Sequence, residues 1–155
     1  MIDGKDKKIL NILQQDARIP NVEIARRLGM AASATHERIK KLEAQGVIQG
    51  YAARVDPKAA GLNLLAFIFV KTAGGVGEWS TGERLSKIPE VQEIHSIAGE
   101  DCYLIRVRTR DPESLGRLMR EKFGAIDTIT ATNSAIVLST MKETIALPLE
   151  EGERP

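Results

Sequence analysis

Residues 20–48 read PNVEIARRLGMAASATHERIKKLEAQGVI. Apolar residues recur at helical spacing up to Gly29, and a second helical pattern begins within a few residues of that glycine. Because glycine readily adopts the left-handed conformation that ends many helices, we expect the chain to turn sharply at Gly29. Two short helices joined by a tight turn that contains glycine are typical of a helix-turn-helix unit.

The second of these helices is predicted to run from about Ala32 to Gln45, with Ala32, Thr35, Ile39 and Leu42 on its buried stripe. Its remaining side chains are left outside and are rich in cations. An α-helix fits the major groove of DNA, where its first turns meet base edges and its cations neutralise phosphates. The residues predicted to contact double-stranded DNA are Ser33, Ala34, His36, Glu37, Arg38, Lys40 and Lys41.

The flanking sequence supports this interpretation. Asp3–Gln15 is predicted to form a first helix capped by Asp3, and Asn21 is predicted to cap the second helix. The segment Val47–Val55, interrupted by Gly50, has the character of a β wing. A basic helix face on its own is more often simply solvated, but three helices in this order followed by a β segment favour DNA binding.

Composition and charge exclude several classes of protein. The 155-residue chain carries a net charge of only +1, yet residues 1–50 hold nine Lys or Arg against six Asp or Glu, so the positive charge accompanies the helix-turn-helix. Cys102 is the single cysteine, which excludes an intramolecular disulfide and fits a reducing cytoplasm. The longest apolar run, Leu64–Val70, is too short to span a bilayer, so we expect a cytoplasmic protein without a membrane partner.

The remainder of the chain predicts four strands and two helices. In chain order these are a strand at Leu64–Thr72, a helix at Glu78–Ile88 that buries Trp79, strands at Val91–Ala98 and from Tyr103 to Val107, a helix at Pro112–Phe123, and a strand at Ile126–Met141 broken near Asn133. The order β-α-β-β-α-β is the ferredoxin-like arrangement. The fold class is therefore predicted to be α+β, with a DNA-binding domain at 1–50, a hinge strand and linker at 51–62, a βαββαβ domain at 63–143 and a loose polar tail at 144–155.

Three stretches resemble the Lrp/AsnC, or feast/famine, family of transcription regulators. They read DGKDKKILNILQQDARIPNVEIARRLGM from Asp3, RIKKLEAQGVIQGYAARVDPKAAG from Arg38 and IPEVQEIHSIAGEDCYLIRVR from Ile88. They occur in the family's order, and the resemblance as a whole extends over nearly the whole chain. The resemblance implies a winged helix-turn-helix, a hinge strand, and a βαββαβ domain that forms homodimers and octamers. It also implies a small-molecule effector such as an amino acid. The sequence itself shows neither a phosphate loop nor a Ser-His-Asp order, and we expect no cofactor and no catalytic residue.

The resemblance places the effector at the turn that begins at Gly99. The corresponding effector-binding residues are Gly99, Glu100, Asp101, Cys102, Tyr103, Thr132 and Ser134. Members of the family commonly carry Asp at the position of Cys102, and a neutral thiol does not pair with an ammonium group. This departure predicts weak binding of an α-amino acid, or a ligand that lacks the ammonium, or control by assembly alone.

A second departure lies at the start of the third helix. The family usually has a Ser cap and Pro residues where this chain has Ala31, Ala32 and Ala34. The substitution predicts that Ser33 caps the helix instead and that the helix starts later.

Other interpretations remain open at this stage. A metal or thiol site could be formed by Cys102 with His95, Glu93, Glu100 and Asp101. Strand alternation gives these side chains mixed directions, which favours a thiol that acts as a small apolar group. A sirohaem decarboxylase of similar fold would need cationic and His side chains, and His95, Arg106 and Arg108 are the comparable cluster, although the basic third helix argues against it. A non-specific DNA-organising protein would differ from a regulator only in sequence selectivity.

Overall fold

The computed structural model of the protein describes residues 2–74, 79–99 and 102–150. The chain divides into two compact units: the first unit contains the residues up to Ala53 together with those from Lys142 onward, and the second unit is Arg54–Met141. Each unit has its own hydrophobic core. In the described ranges, no helix is both long enough and apolar enough to cross a membrane.

The first unit is built from three helices, α1 at Gly4–Gln15, α2 at Asn21–Leu28 and α3 at Ala32–Ala44. The predicted cap of α1 is confirmed, because the carboxylate of Asp3 accepts from the backbone N–H of Asp6 while the side chain of Asp6 accepts from the N–H of Asp3. The core of the unit consists of Ile9, Leu10, Leu13, Ile19, Ile24, Ile39 and Leu42.

The turn between α2 and α3 occurs at Gly29, as predicted. Its φ is +62°, in the left-handed region, and the N–H of Met30 donates to the carbonyl of Ala25 at 2.9 Å. This closure satisfies a carbonyl that the end of α2 would otherwise leave without a partner.

The caps of α2 and α3 differ from the prediction. Pro20 and Ala31 occupy the cap positions, and neither makes a side-chain cap hydrogen bond. Asn21 is the first residue of α2 and not its cap, and α3 starts at Ala32 and not later. Packing explains this start, because burial of an apolar stripe stabilises a short helix more than its cap does.

The second unit is a four-stranded antiparallel sheet with helices on one face. Its elements are β1 at Leu64–Thr72, α4 at Ser80–Ser86, β2 at Val91–Ser96, β3 at Tyr103–Thr109, α5 at Pro112–Leu118 followed by a π-helical turn at Met119–Phe123, and β4 at Ile129–Ile136. The strand order is β2-β3-β1-β4, which confirms the predicted α+β class and the βαββαβ order.

The two faces of this sheet are unlike. Alternate residues of β1 and β3, such as Ile68 and Ile105, are fully buried with the helices. Phe67, Phe69 and Leu104 alternate with them and are only partly buried, so they lie on the face turned away from the helices. We call that second side the open face of the sheet.

Several predicted elements differ from the structure. No strand is assigned between α3 and β1 in the described chain, so the predicted β wing at Val47–Val55 is not a strand here. An extended segment needs a neighbouring strand to form a ladder, and Val47 and Ile48 instead donate to the carbonyl of Leu42.

The last strand is shorter than predicted and is not broken at Asn133, which pairs with Phe69. Trp79 is 66% exposed because α4 starts one residue after it.

The described part of the polar tail, up to Glu150, makes contacts that the sequence did not predict. The side chain of Gln14 donates to the carbonyl of Leu147 at 3.1 Å and accepts from its N–H at 2.6 Å. Asn11 donates to the carbonyl of Leu149, whose side chain packs against the core of the first unit. The amide side chains of α1 therefore hold the backbone of the tail, a non-local contact that the tail's polar composition does not reveal.

Candidate DNA-binding and effector sites

Helix α3 has one buried side and one outward side. Thr35, Ile39 and Leu42 are at most 4% exposed and fix the rotation of the helix about its axis. The predicted DNA-contacting residues that are exposed on the outward side are Ser33, Ala34, His36, Glu37, Lys40 and Lys41. The helix therefore presents polar side chains in its first turns and cations further along, the arrangement that a recognition helix needs.

Arg38, also predicted to contact DNA, is engaged within the protein. Its guanidinium donates to the carboxylates of Asp3 and Asp6, each at 2.7 Å, and its side chain is only 32% exposed. These hydrogen bonds raise the pKa of Arg38, and the backbone N–H of Asp6 followed by Arg38 lowers the pKa of Asp3. Arg38 therefore ties α3 to the start of α1, and a contact with phosphate would compete with these bonds.

Two cations on α2 were not singled out from the sequence. Arg26 and Arg27 are exposed, and both donate to the carboxylate of Glu23, at 2.8 and 2.9 Å. Hydrogen bonds from Arg26 and then Arg27 lower the pKa of Glu23 to about 2. The signal in the sequence was the spacing of three and four residues along one helix face.

Asn21 is a further residue that sequence reasoning placed in a different role. Its amide nitrogen lies 3.1 Å from Nδ1 of His36, so the first residue of α2 contacts the outward side of α3. Only the fold brings together these residues, which are fifteen positions apart in the chain.

The predicted effector residues are spread over a turn and two strands. Glu100 and Asp101 lie outside the described residues, and Gly99 has a φ of +131°, which favours glycine. Across the sheet, Val70 pairs with both Tyr103 and Thr132, so that these two predicted residues flank the same position of β1. Thr132 and Ser134 are exposed on β4, whereas Tyr103 is only 4% exposed and belongs to the core.

Cys102 is held close to this row of residues. Its N–H donates to the carbonyl of Val70 at 2.8 Å, and the hydroxyl of Thr72 donates to its sulfur at 3.4 Å. Its side chain is partly buried and packs against the core of the second unit. This environment agrees with the interpretation of the thiol as a small apolar group.

The cluster considered for a tetrapyrrole or metal lies on β2 and β3. Glu93 accepts from Arg106 at 2.7 Å and lies 3.4 Å from His95, and the bond from Arg106 lowers the pKa of Glu93. Arg108 donates to Gln92 at 3.2 Å, and burial lowers its pKa. The carboxylate of Glu93 thus offsets part of the positive charge. Within the described part of the chain, no three His, Cys, Asp or Glu side chains converge as a metal site.

Known proteins resemble both units. A family profile described as "Lrp/AsnC ligand binding domain" matches residues 65–147, and one described as "Winged helix-turn-helix DNA-binding" matches residues 2–49. The HTH-type transcriptional regulator FL11 of Pyrococcus furiosus is 38% identical over 150 residues, covering 97% of this chain and 98% of that protein.

Two solved structures add similarity of fold. A transcriptional regulator from Neisseria meningitidis in complex with L-methionine has a TM-score of 0.88 at 30% identity, covering 96% of this chain and 97% of that one. The feast or famine regulatory protein from M. tuberculosis complexed with L-methionine has a TM-score of 0.87 at 31% identity, covering 95% and 99%. Since profile, sequence and fold agree over nearly the full length, the chain belongs to the Lrp/AsnC family of transcriptional regulators.

Proposed function

We propose that this regulator acts in the cytoplasm as a homodimer, binds a near-palindromic DNA site through the outward side of α3, and responds to a small metabolite rather than catalysing a reaction. The observation that carries the proposal is the division of α3 into a buried stripe and an outward side with His36, Lys40 and Lys41 exposed. Two copies related by a two-fold axis would present two such helices to half-sites about one helical turn apart, or a multiple of it.

The first test is the salt dependence of DNA binding. Each lost phosphate contact lowers the slope of log affinity against log salt by about 1, so Lys40→Ala and Lys41→Ala should each do so on every duplex alike. Lys87→Ala, an exposed cation of the second unit, is the matched control and should leave the slope unchanged. An affinity that is constant between roughly 50 and 200 mM salt would contradict the phosphate contacts.

The second test is the selection of bound duplexes from a random pool. A sequence-specific regulator should enrich a near-palindromic site, and footprinting should protect both halves. Enrichment of no sequence, with affinity retained, would instead indicate a protein that organises DNA without reading it.

The open face of the sheet supports the dimer. Phe67, Phe69 and Leu104 form an apolar strip there that a second copy would cover. Leu138 and Met141, which follow β4, are 98% and 95% exposed and add apolar surface to the same unit. Phe67→Lys should shift the molecular mass measured by light scattering toward one chain, whereas Trp79→Lys, at an exposed residue on another surface, should not. Sedimentation analysis would separate a dimer from the octamer that the family resemblance implies.

The effector is proposed to bind at the turn that starts at Gly99, beside Cys102 and Thr132. The two L-methionine complexes of relatives support an amino acid, and Cys102 in place of the usual Asp removes a partner for its ammonium group. We expect calorimetric titration with the twenty amino acids to give weak binding, and Cys102→Asp to strengthen it about tenfold, the value of one charge-assisted hydrogen bond. Tight binding that Cys102→Ala leaves undiminished would show that the ammonium is held elsewhere.

A further inference from the structure

The contact between Asn21 and His36 determines more than the packing of two helices. The amide nitrogen of Asn21 lies 3.1 Å from Nδ1 of the imidazole. An amide NH₂ group donates hydrogen bonds and does not accept them, so Nδ1 must be the acceptor. A neutral imidazole in this arrangement carries its proton on Nε2.

With Nδ1 facing Asn21, the N–H donor of the His36 ring is at Nε2. His36 is exposed on the outward side of α3, and Ser33 and Lys40 lie one turn before and after it on the same side. A donor N–H in the major groove can bond to N7 or O6 of guanine, N7 of adenine or O4 of thymine, and it is repelled by the amino group of cytosine. N7 is shared by both purines and is the acceptor that a single donor reaches on either.

We propose that His36 reads the N7 atom of a purine in each half-site and that Asn21, from outside the recognition helix, is the positioning residue that sets its tautomer and orientation. The inference rests on the proposed DNA binding. A ring that is already oriented loses less rotational freedom on binding, so Asn21 contributes to selectivity without touching DNA. A purely structural tie between α2 and α3 would stabilise the fold but would leave base preference unchanged.

The tautomer is measurable in the protein without DNA. The chain has two histidines, His36 and His95, so nitrogen-15 NMR of the labelled imidazoles is simple to assign with the variant His95→Gln. The expected result is a protonated Nε2 and a bare Nδ1 at His36, with a weaker tautomer preference in Asn21→Leu. A protonated Nδ1 in the wild-type protein would mean that the amide oxygen of Asn21 faces the ring, and it would overturn the proposal.

The base contact is tested on the selected DNA site. Each purine is replaced in turn by its 7-deaza counterpart, and one position per half-site should lose about tenfold in affinity for the wild-type protein. His36→Ala should abolish that loss, and Asn21→Leu should diminish it while leaving the salt slope unchanged. In a His36→Gln background, whose amide donates without help from Asn21, the change Asn21→Leu should have no effect.

The outcomes separate this inference from the proposed function. Selective binding that tolerates every 7-deaza purine, or a penalty that persists in His36→Ala, overturns the role of His36. Binding of every duplex alike, or of none, overturns the proposed selectivity itself and the inference with it.

Discussion

The two candidate sites of this chain are built in opposite ways. The proposed DNA-binding residues lie on one helix, and the core of the first unit fixes its rotation through Thr35, Ile39 and Leu42. The proposed effector residues come from a turn, the start of β3 and the exposed strand β4, and only strand pairing brings them together. A site on one helix depends on local spacing, whereas a site across a sheet depends on register and on whatever covers the open face.

The largest expected effect comes from breaking one core at a time. Leu42→Ala removes a side chain that is only 2% exposed and should lower the free energy of unfolding of the first unit by about 2–5 kcal/mol. Leu85→Ala, at a fully buried residue of the second unit, is the matched change. Urea unfolding monitored by amide hydrogen exchange should show that each loss of stability is confined to the unit that carries the substitution. We expect Leu42→Ala to impair DNA binding while the oligomeric state measured by light scattering persists. Loss of both DNA binding and assembly would show that the two units unfold together.

A smaller effect is expected at the turn on which α3 depends. Gly29→Ala places a side chain at a φ of +62°, where no heavy atom lies within 4 Å of the added Cβ. The cost is therefore backbone strain alone, about 1–2 kcal/mol in the free energy of unfolding. Gly29→Asn should cost less, because asparagine tolerates the left-handed region. Equal melting temperatures for the three proteins would contradict the role of this glycine.

The same contrast explains what could be predicted from the sequence. Helical spacing, the glycine at position 29 and the Asp3 cap are local signals, and all three agree with the structure. The prediction of a β segment after α3 was wrong. A strand forms only where a neighbouring strand pairs with it, and among the described residues no strand lies beside this segment. Trp79 was predicted to be buried by the helix, but α4 begins at Ser80, two residues later than predicted, and leaves Trp79 exposed.

The long-range polar contacts at the candidate DNA-binding site could not be predicted from local sequence patterns. Arg38 was predicted to contact DNA from its charge, whereas its two carboxylate partners are more than thirty residues away in the chain. Asn21 was assigned as a cap from its type and position, and only the approach of α2 to α3 shows its contact with His36. Polar contacts of this kind join segments that are distant in the chain, so the hydrophobic periodicity of the sequence does not predict them.

Substitution of Arg38 tests whether this residue stabilises the packing of α3 or contacts DNA. Arg38→Met should lower the free energy of unfolding by about 1 kcal/mol, since the network is largely at the surface. The folded pKa of Asp3 is depressed, so this stabilisation is present above its ordinary pKa and is lost as pH falls below about 4. The difference between wild type and Arg38→Met should shrink in acid and in high salt. A fall of about 1 in the DNA salt slope would instead mean that Arg38 contacts phosphate.

The smallest expected effect concerns Tyr51, which lies after α3 and tests how firmly the chain beyond the helix is held. Its hydroxyl donates to Glu43 at 2.9 Å, and partial burial followed by this bond raises the pKa of Tyr51 to about 12. Because the folded pKa lies above the ordinary value, the stabilisation is complete below about pH 10 and is lost as pH rises from there toward 12. Tyr51→Phe should cost about 0.5–1 kcal/mol at neutral pH, and its stability should converge with that of the wild type in strong alkali. Ultraviolet difference titration of wild type against Tyr51→Phe measures the pKa directly. An ordinary value near 10 would show that Tyr51 moves freely in solution and that its bond to Glu43 does not hold the segment after α3.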